Sequence, residues 1–173
     1  MRSARVVKSS LPLQVAAVCY RRRRGAIEFL LVNTNGEGKW TFPKGDPMPQ
    51  LSHSQSAECE AMEEAGVLGT IEPHHFHLYL HAKGVFWKRP GVQEMVVKAF
   101  LLEVRELRSG HEENRNPTWF SSEQAKQILA KGREVKYRRE LWNVIDRACE
   151  RLIAQQLMVR PGPNRSLRGY TNV

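Results

Sequence analysis

Glu60, Glu63 and Glu64 are the residues of this sequence best spaced for chemistry. Their i, i+3, i+4 interval places them on one face of a helix, with β-carbons about 5–6 Å apart. No lysine or arginine lies between Gly45 and Gly66 to neutralise them. Such a face is either solvated or a site for a hard divalent cation, which takes oxygen ligands and keeps places for substrate phosphates. The enclosing stretch, GDPMPQLSHSQSAECEAMEEAG, carries helix signals. Ser52 or Ser54 can cap its start, and Gly66 suits the left-handed position at its end. Ala57, Ala61 and Ala65 recur every four residues, a narrow face that lets the helix sit close to a sheet.

The elements that must hold this helix follow from hydrophobic periodicity. Leu11–Tyr20 and Ile27–Thr34 read as strands of a hairpin joined through RRRRGA. Residues 40–43 form a short strand that Pro43 ends, and KGDPMPQL is an irregular loop because its prolines exclude regular structure. Strand and hairpin are expected over 67–84, a strong strand over Met95–Val104, and a short one from Thr118. SSEQAKQILAKG is a capped helix ending on Gly132. A long amphipathic helix follows, with Leu141, Val144, Ile145, Ala148, Leu152 and Ile153 on one side. The order is α+β: a mixed sheet, one early helix and two late ones. We read one domain over 11–159, between a flexible basic N-terminus, 1–10, and a flexible basic tail, 160–173.

Composition bounds the class. The 173 residues are 41% hydrophobic and 26% charged, as in ordinary globular proteins. No apolar run approaches the roughly 20 residues that span a bilayer, so no membrane partner is expected. Cys19, Cys59 and Cys149 are odd in number and far apart, which fits neither a disulfide framework nor zinc spacing; a cytoplasmic location follows. The net charge is +9, of which Arg2, Arg5, Lys8, Arg160, Arg165 and Arg168 carry +6 on the two terminal segments. Binding of nucleic acid is not expected, because interleaved aromatics and a binding motif are missing. HHFHLYLH reads as a polar strand face, His75, His77 and His81 sharing a parity, rather than a zinc site.

WTFPKG, a loop and ECEAMEEAGV together resemble the signature of the Nudix hydrolase family, G-x5-E-x7-R-E-U-x-E-E-x-G-U, with U a bulky apolar residue. Registered on Gly45, it places Glu60, Glu63, Glu64, Gly66 and Val67 on matching positions without a gap. Three positions depart: Leu51 replaces the first glutamate, Cys59 the arginine, and Ala61 the apolar residue. In the family that glutamate and arginine pair to brace the loop against the helix. Here both are absent together, and replacing both partners of a pair by apolar groups is often near neutral, whereas losing one costs about 3–5 kcal/mol. The resemblance, in the layout of enzymes acting on diphosphoinositol and diadenosine polyphosphates, covers roughly residues 11–155.

It implies an α/β/α sandwich with a central mixed sheet, a Mg²⁺ or Mn²⁺ cofactor, and a phosphorylated small-molecule substrate. The implied activity is hydrolysis of the diphosphate bond of a nucleoside diphosphate derivative, dinucleoside polyphosphate or inositol pyrophosphate. The alternative is a non-catalytic domain that senses a nucleotide or polyphosphate. By the same resemblance Glu63 and Glu64 hold metal with the Gly45 carbonyl, and Glu60 is a further ligand or orients water. An acid from elsewhere completes the set: Glu94, or in its place Glu112 or Glu113. Lys39 and Lys44 flank the loop and can contact phosphate. Arg22, within Arg21–Arg24, is either part of a solvated turn or a polyphosphate contact. Lys83, Lys88 and Arg89, and Arg133, Lys136, Arg138 and Arg139, form further basic clusters. Trp40 and Trp119 are expected in the core.

Overall fold

A computed structural model of the chain describes residues 11–34, 38–85 and 91–159. The basic segments 1–10 and 160–173, and Lys88 and Arg89, lie outside the described residues. The strands are β1 (Leu13–Arg23), β2 (Ala26–Asn33), β3 (Trp40–Thr41), β4 (Lys44–Gly45), β5 (Val67–Ile71), β6 (His77–Val85), β7 (Gly91–Leu107) and β8 (Thr118–Ser121); the helices are α1 (His53–Ala65), α2 (Ser122–Ala130) and α3 (Val135–Val159).

The sheet is mixed. β1 and β7 run parallel at its centre, and every other pairing is antiparallel. Both central strands change partner along their length. Val15 and Ala16 of β1 pair with β4, whereas Tyr20–Arg23 pair with β2. The first half of β7 pairs with β6 and the second with β5. β4 and β6 therefore flank β1 and β7 at one end of the sheet, and residues of both line the site described below.

β1 explains why the architecture has three layers. Val15, Ala17 and Cys19 pack with Ala57, Ala61 and Ala65 of α1, whereas Ala16, Val18 and Tyr20 pack with Leu129 of α2 and Val144, Ile145 and Leu152 of α3. A strand covered on both faces reads as a continuous apolar run, as VAAVC does. The expected helix side on α3 is corrected at one position: Ile153 is 53% exposed. It stands about 100° round the helix from the fully buried Leu152 and so points away from the sheet.

α1 is fixed at both ends. Ser52 is its N-cap and forms a capping box with Gln55. Gly66 closes it with φ 67°, and its N–H donates to the Ala61 and Met62 carbonyls. The preceding loop is fastened by Ser56, which is fully buried. Its hydroxyl accepts from the Met48 N–H at 2.9 Å and donates to the Ser52 carbonyl at 3.1 Å.

The arginines after Tyr20 differ from the expected turn. β1 runs to Arg23, and only Arg24 and Gly25, with φ 50° and 82°, form the reversal. Of the four late α3 residues Leu157, Met158, Val159 and Gln156, the three apolar ones are exposed.

Candidate active site

β4 and α1 bring the acidic residues together. Strand β4 ends on Gly45, and a β-carbon at that position would fall on the Glu60 carboxylate. A larger residue there would push the carboxylate aside. One residue earlier, the Lys44 N–H donates to Glu64 Oε2 at 3.3 Å. The helix thus presents Glu60 and Glu64, one turn apart, to consecutive residues of a two-residue strand. Glu63 lies on the far side of Glu60 from Glu64 and is exposed.

Glu64 is 5% exposed, a costly place for a charge. Its partner is Arg115, whose Nη2 lies 2.9 Å from Glu64 Oε1. Burial nevertheless pushes the Glu64 carboxyl up to about 7, Glu60 adding to the rise against the opposing pull of Arg115 and Lys44. Glu60 is raised too, first by burial and then by Glu63, Glu112 and Asp46. Both carboxyls are displaced upward first because they are buried, and a bound cation would offset that cost. Among the described residues no three His, Cys, Asp or Glu side chains stand at metal-binding distance; Glu64 is turned to Arg115. The donor set still fits a hard cation: the Gly45 main chain against the Glu60 carboxylate, with Glu64 beside it, offers oxygens alone.

A cavity of about 540 Å³ opens beside Glu64. Lys39, Lys44, Lys83, Arg115 and Arg133 line it, against Glu64 and Glu134. His81 lines it as well, and burial together with Lys44, Arg133, Lys83 and Lys39 holds its imidazole down to about 3, so it is neutral at every ordinary pH. Lys44 is lowered by burial, partly offset by Glu64. Its ammonium lies 3.5 Å from Gln14 Oε1, and the Gln14 amide donates to Asp46 at 3.2 Å. The buried Thr34 hydroxyl, on the same wall, has no hydrogen-bond partner. A polyanion matches this lining: cations concentrated in a recess attract phosphate more strongly than the same charges spread over a surface.

The expected site residues divide accordingly. Glu60, Glu63, Glu64 and Gly45 are neighbours, and Lys39 and Lys44 line the cavity. Glu94 lies apart, ion-paired to Lys136 at 2.7 Å and accepting from the Tyr137 hydroxyl at 3.2 Å. Glu112 is close: its N–H donates to the Glu63 carbonyl at 2.8 Å, and its charge acts on Glu60. Arg22 donates to the Leu152 carbonyl at 3.0 Å and to Gln156, fastening α3 to the hairpin. Arg138 donates to the Arg133 carbonyl at 2.6 Å and closes the loop before α3. Neither Arg22 nor Arg138 lines the cavity. Sequence reasoning missed Arg115, Ser56 and His81. No local pattern marks the first two. The shared parity of His75, His77 and His81 does not extend to their places: His75 precedes β6, and of the three only His81 reaches the cavity.

A NUDIX domain model matches residues 11–141. Among solved structures, a C. elegans Ap4A hydrolase in a binary complex is 24% identical with TM-score 0.58, over 83% of this chain and 99% of that one. The NUDIX domain of Shewanella oneidensis NrtR complexed with ADP ribose is 18% identical with TM-score 0.57, over 83% and 89%. A NUDIX hydrolase from Nitrosomonas europaea is 18% identical with TM-score 0.54, over 91% and 100%. At these identities the likeness is one of fold.

Proposed function

Because this chain belongs to the NUDIX domain family, we propose that it is a divalent-metal-dependent hydrolase of a diphosphate bond in a phosphorylated small molecule. The observation that carries the reading is the junction of two opposite fields. Glu60 meets Gly45 and Glu64 meets the Lys44 N–H at one end, and a cationic cavity begins at Glu64 and Lys44. A diphosphate substrate needs both: carboxylates to hold a cation, and fixed cations for the phosphates that do not react.

Glu60, Glu64 and the Gly45 carbonyl would hold Mg²⁺ or Mn²⁺, with Glu63 at the exposed edge. Glu112, rather than Glu94, would add the acid from outside the helix, since its N–H already meets the Glu63 carbonyl. The cation, when bound, neutralises phosphate charge and lowers the pKa of water. Lys39, Lys44, Lys83 and Arg133 would orient the phosphates, and Thr34 has an unused hydroxyl for them or for water. The loss of the box pair at Leu51 and Cys59 is compatible with this, because Ser56 fastens the loop by another route. Nucleotide-derived compounds are reasonable first substrates, since the neighbours include an Ap4A hydrolase and a domain complexed with ADP ribose.

The departures at Leu51 and Cys59 favour a second reading, a binding domain without turnover. One experiment separates the two. Purified protein is assayed for phosphate and nucleotide release from dinucleoside polyphosphates, nucleoside di- and triphosphates, nucleotide sugars and inositol pyrophosphates, with Mg²⁺ and with Mn²⁺. Metal-dependent turnover that disappears in the Glu63→Gln/Glu64→Gln double variant supports the hydrolase. Folded protein that binds one of these compounds and turns over none rejects it for the sensor.

A further inference from the structure

Arg115 joins three elements through one guanidinium. Nη2 meets Glu64 on α1 at 2.9 Å, Nε meets Glu112 in its own loop at 2.7 Å, and Nη1 donates to the Asn33 carbonyl at the end of β2 at 3.3 Å. The backbone is pinned at the same place, the Asn33 N–H donating to the Arg115 carbonyl at 2.6 Å. Asn114 and Asn116, on either side, have φ 65° and 46°, left-handed turns that asparagine takes more readily than other non-glycine residues. Glu112 is fixed in turn by its N–H on the Glu63 carbonyl. The loop therefore holds Arg115 in one place, with its side chain 14% exposed and on the cavity wall.

Two of its three partners are carboxylates on the acidic side of the site, and its third is a neutral carbonyl. The guanidinium cannot shed its proton, so whatever takes the carboxylates away leaves a nearly buried cation without an anion. Its fork matches phosphate as well as carboxylate. We propose that Arg115 is an exchangeable counter-ion. Without a divalent cation it neutralises Glu64 and Glu112. When those carboxylates turn to a cation, Arg115 keeps its anchor on Asn33 and offers its two freed nitrogens to a phosphate in the cavity. This deepens the proposed function and rests on its cation site. Arg115 is thus a positioning residue in one state and an anion-binding residue in the other. Cation and anion bind cooperatively because each removes the other's cost.

The consequence is a pair of effects of opposite sign. In Arg115→Gln the competitor for Glu64 is gone, so Mg²⁺ alone, measured by calorimetry, binds tighter by about tenfold or more. In the same variant at saturating Mg²⁺, methylenediphosphonate binds weaker by about tenfold or more, because a charge-assisted fork is lost. Arg115→Lys keeps the charge without the fork and falls between for both ligands. A residue that merely braces the loop would weaken both, and that result, or an unchanged Mg²⁺ affinity, overturns the proposal. Wild-type protein gives a second measurement that no folding defect can obscure. The ¹⁵Nε–Hε signal of Arg115, identified by its absence from Arg115→Lys, is expected to shift with Mg²⁺ and again with methylenediphosphonate; a signal that ignores Mg²⁺ also overturns it. Wild-type protein that binds neither ligand rejects the proposed function and this inference together. Binding of both, with same-sign effects in the variants, rejects this inference alone.

Discussion

Glu64→Gln tests whether burial holds the Glu64 carboxyl protonated. In the folded chain the Glu64 carboxyl keeps its proton up to about pH 7, against an ordinary value of 4.5. The unfolded chain releases that proton near 4.5. The contribution to stability is therefore complete below pH 4.5 and is lost as the pH rises to about 7. Above that, the ionised group costs about 3 kcal/mol relative to its protonated form. Glutamine has the shape of the protonated acid and cannot ionise. At pH 8 without metal, Glu64→Gln is expected to be more stable than wild type by up to about 3 kcal/mol, or roughly 6–12 °C in Tm. At pH 4.5–5 the two proteins should melt nearly together. The pull of Arg115 is already contained in that value, and in the variant Arg115 retains Glu112 and the Asn33 carbonyl. Mg²⁺ should raise the wild-type Tm more at pH 8 than at pH 5.5, because there it no longer displaces a proton, and the variant should respond less. Thermal melts across pH, with and without Mg²⁺, read all of this. A variant destabilised equally at pH 5 and pH 8, with its Mg²⁺ response intact, would refute the reasoning.

Gly45→Ala puts a methyl where the Glu60 carboxylate lies; calorimetry should show Mg²⁺ affinity reduced by about tenfold or more, and unchanged affinity would separate Gly45 from the cation site. Ser56→Ala leaves the Met48 N–H without its acceptor and loosens the loop before α1. Denaturant unfolding should show a loss of about 1–2 kcal/mol. His81 is held neutral, down to about 3, so its share of the stability is present above an unfolded value near 6.5 and is lost as pH falls below that. His81→Gln should flatten the acid limb of the stability curve between pH 6.5 and 4, where the wild-type slope from this group reaches at most about 1.4 kcal/mol per pH unit.

The acidic helix was legible because everything that makes it is local. A helix repeats every 3.6 residues, so the spacing of Glu60, Glu63 and Glu64, the alanines four apart, Ser52 and Gly66 each state their position along one short segment. β1 was legible as a strand from its apolar residues, but its burial on both faces came only with the helices that cover it. What the acids face was not legible. Arg115 is 51 residues from Glu64 in sequence and reaches it only because β7 carries the chain back along the sheet. Glu94 and Glu112 are both acids downstream of α1, and sequence cannot rank them. In the fold Glu94 pairs with Lys136 on α3, whereas the Glu112 N–H donates to the α1 backbone. The arginines after Tyr20 carry the same charge as those at the cavity, and again only packing separates them: Arg22 caps a carbonyl of α3, whereas Arg133 lines the cavity. Sequence by itself determined which residues bear charge and which share a helix face, because those follow from residue type and helical period. Tertiary structure alone decided which charges meet, because a Coulomb interaction falls with distance through space and takes no account of separation along the chain.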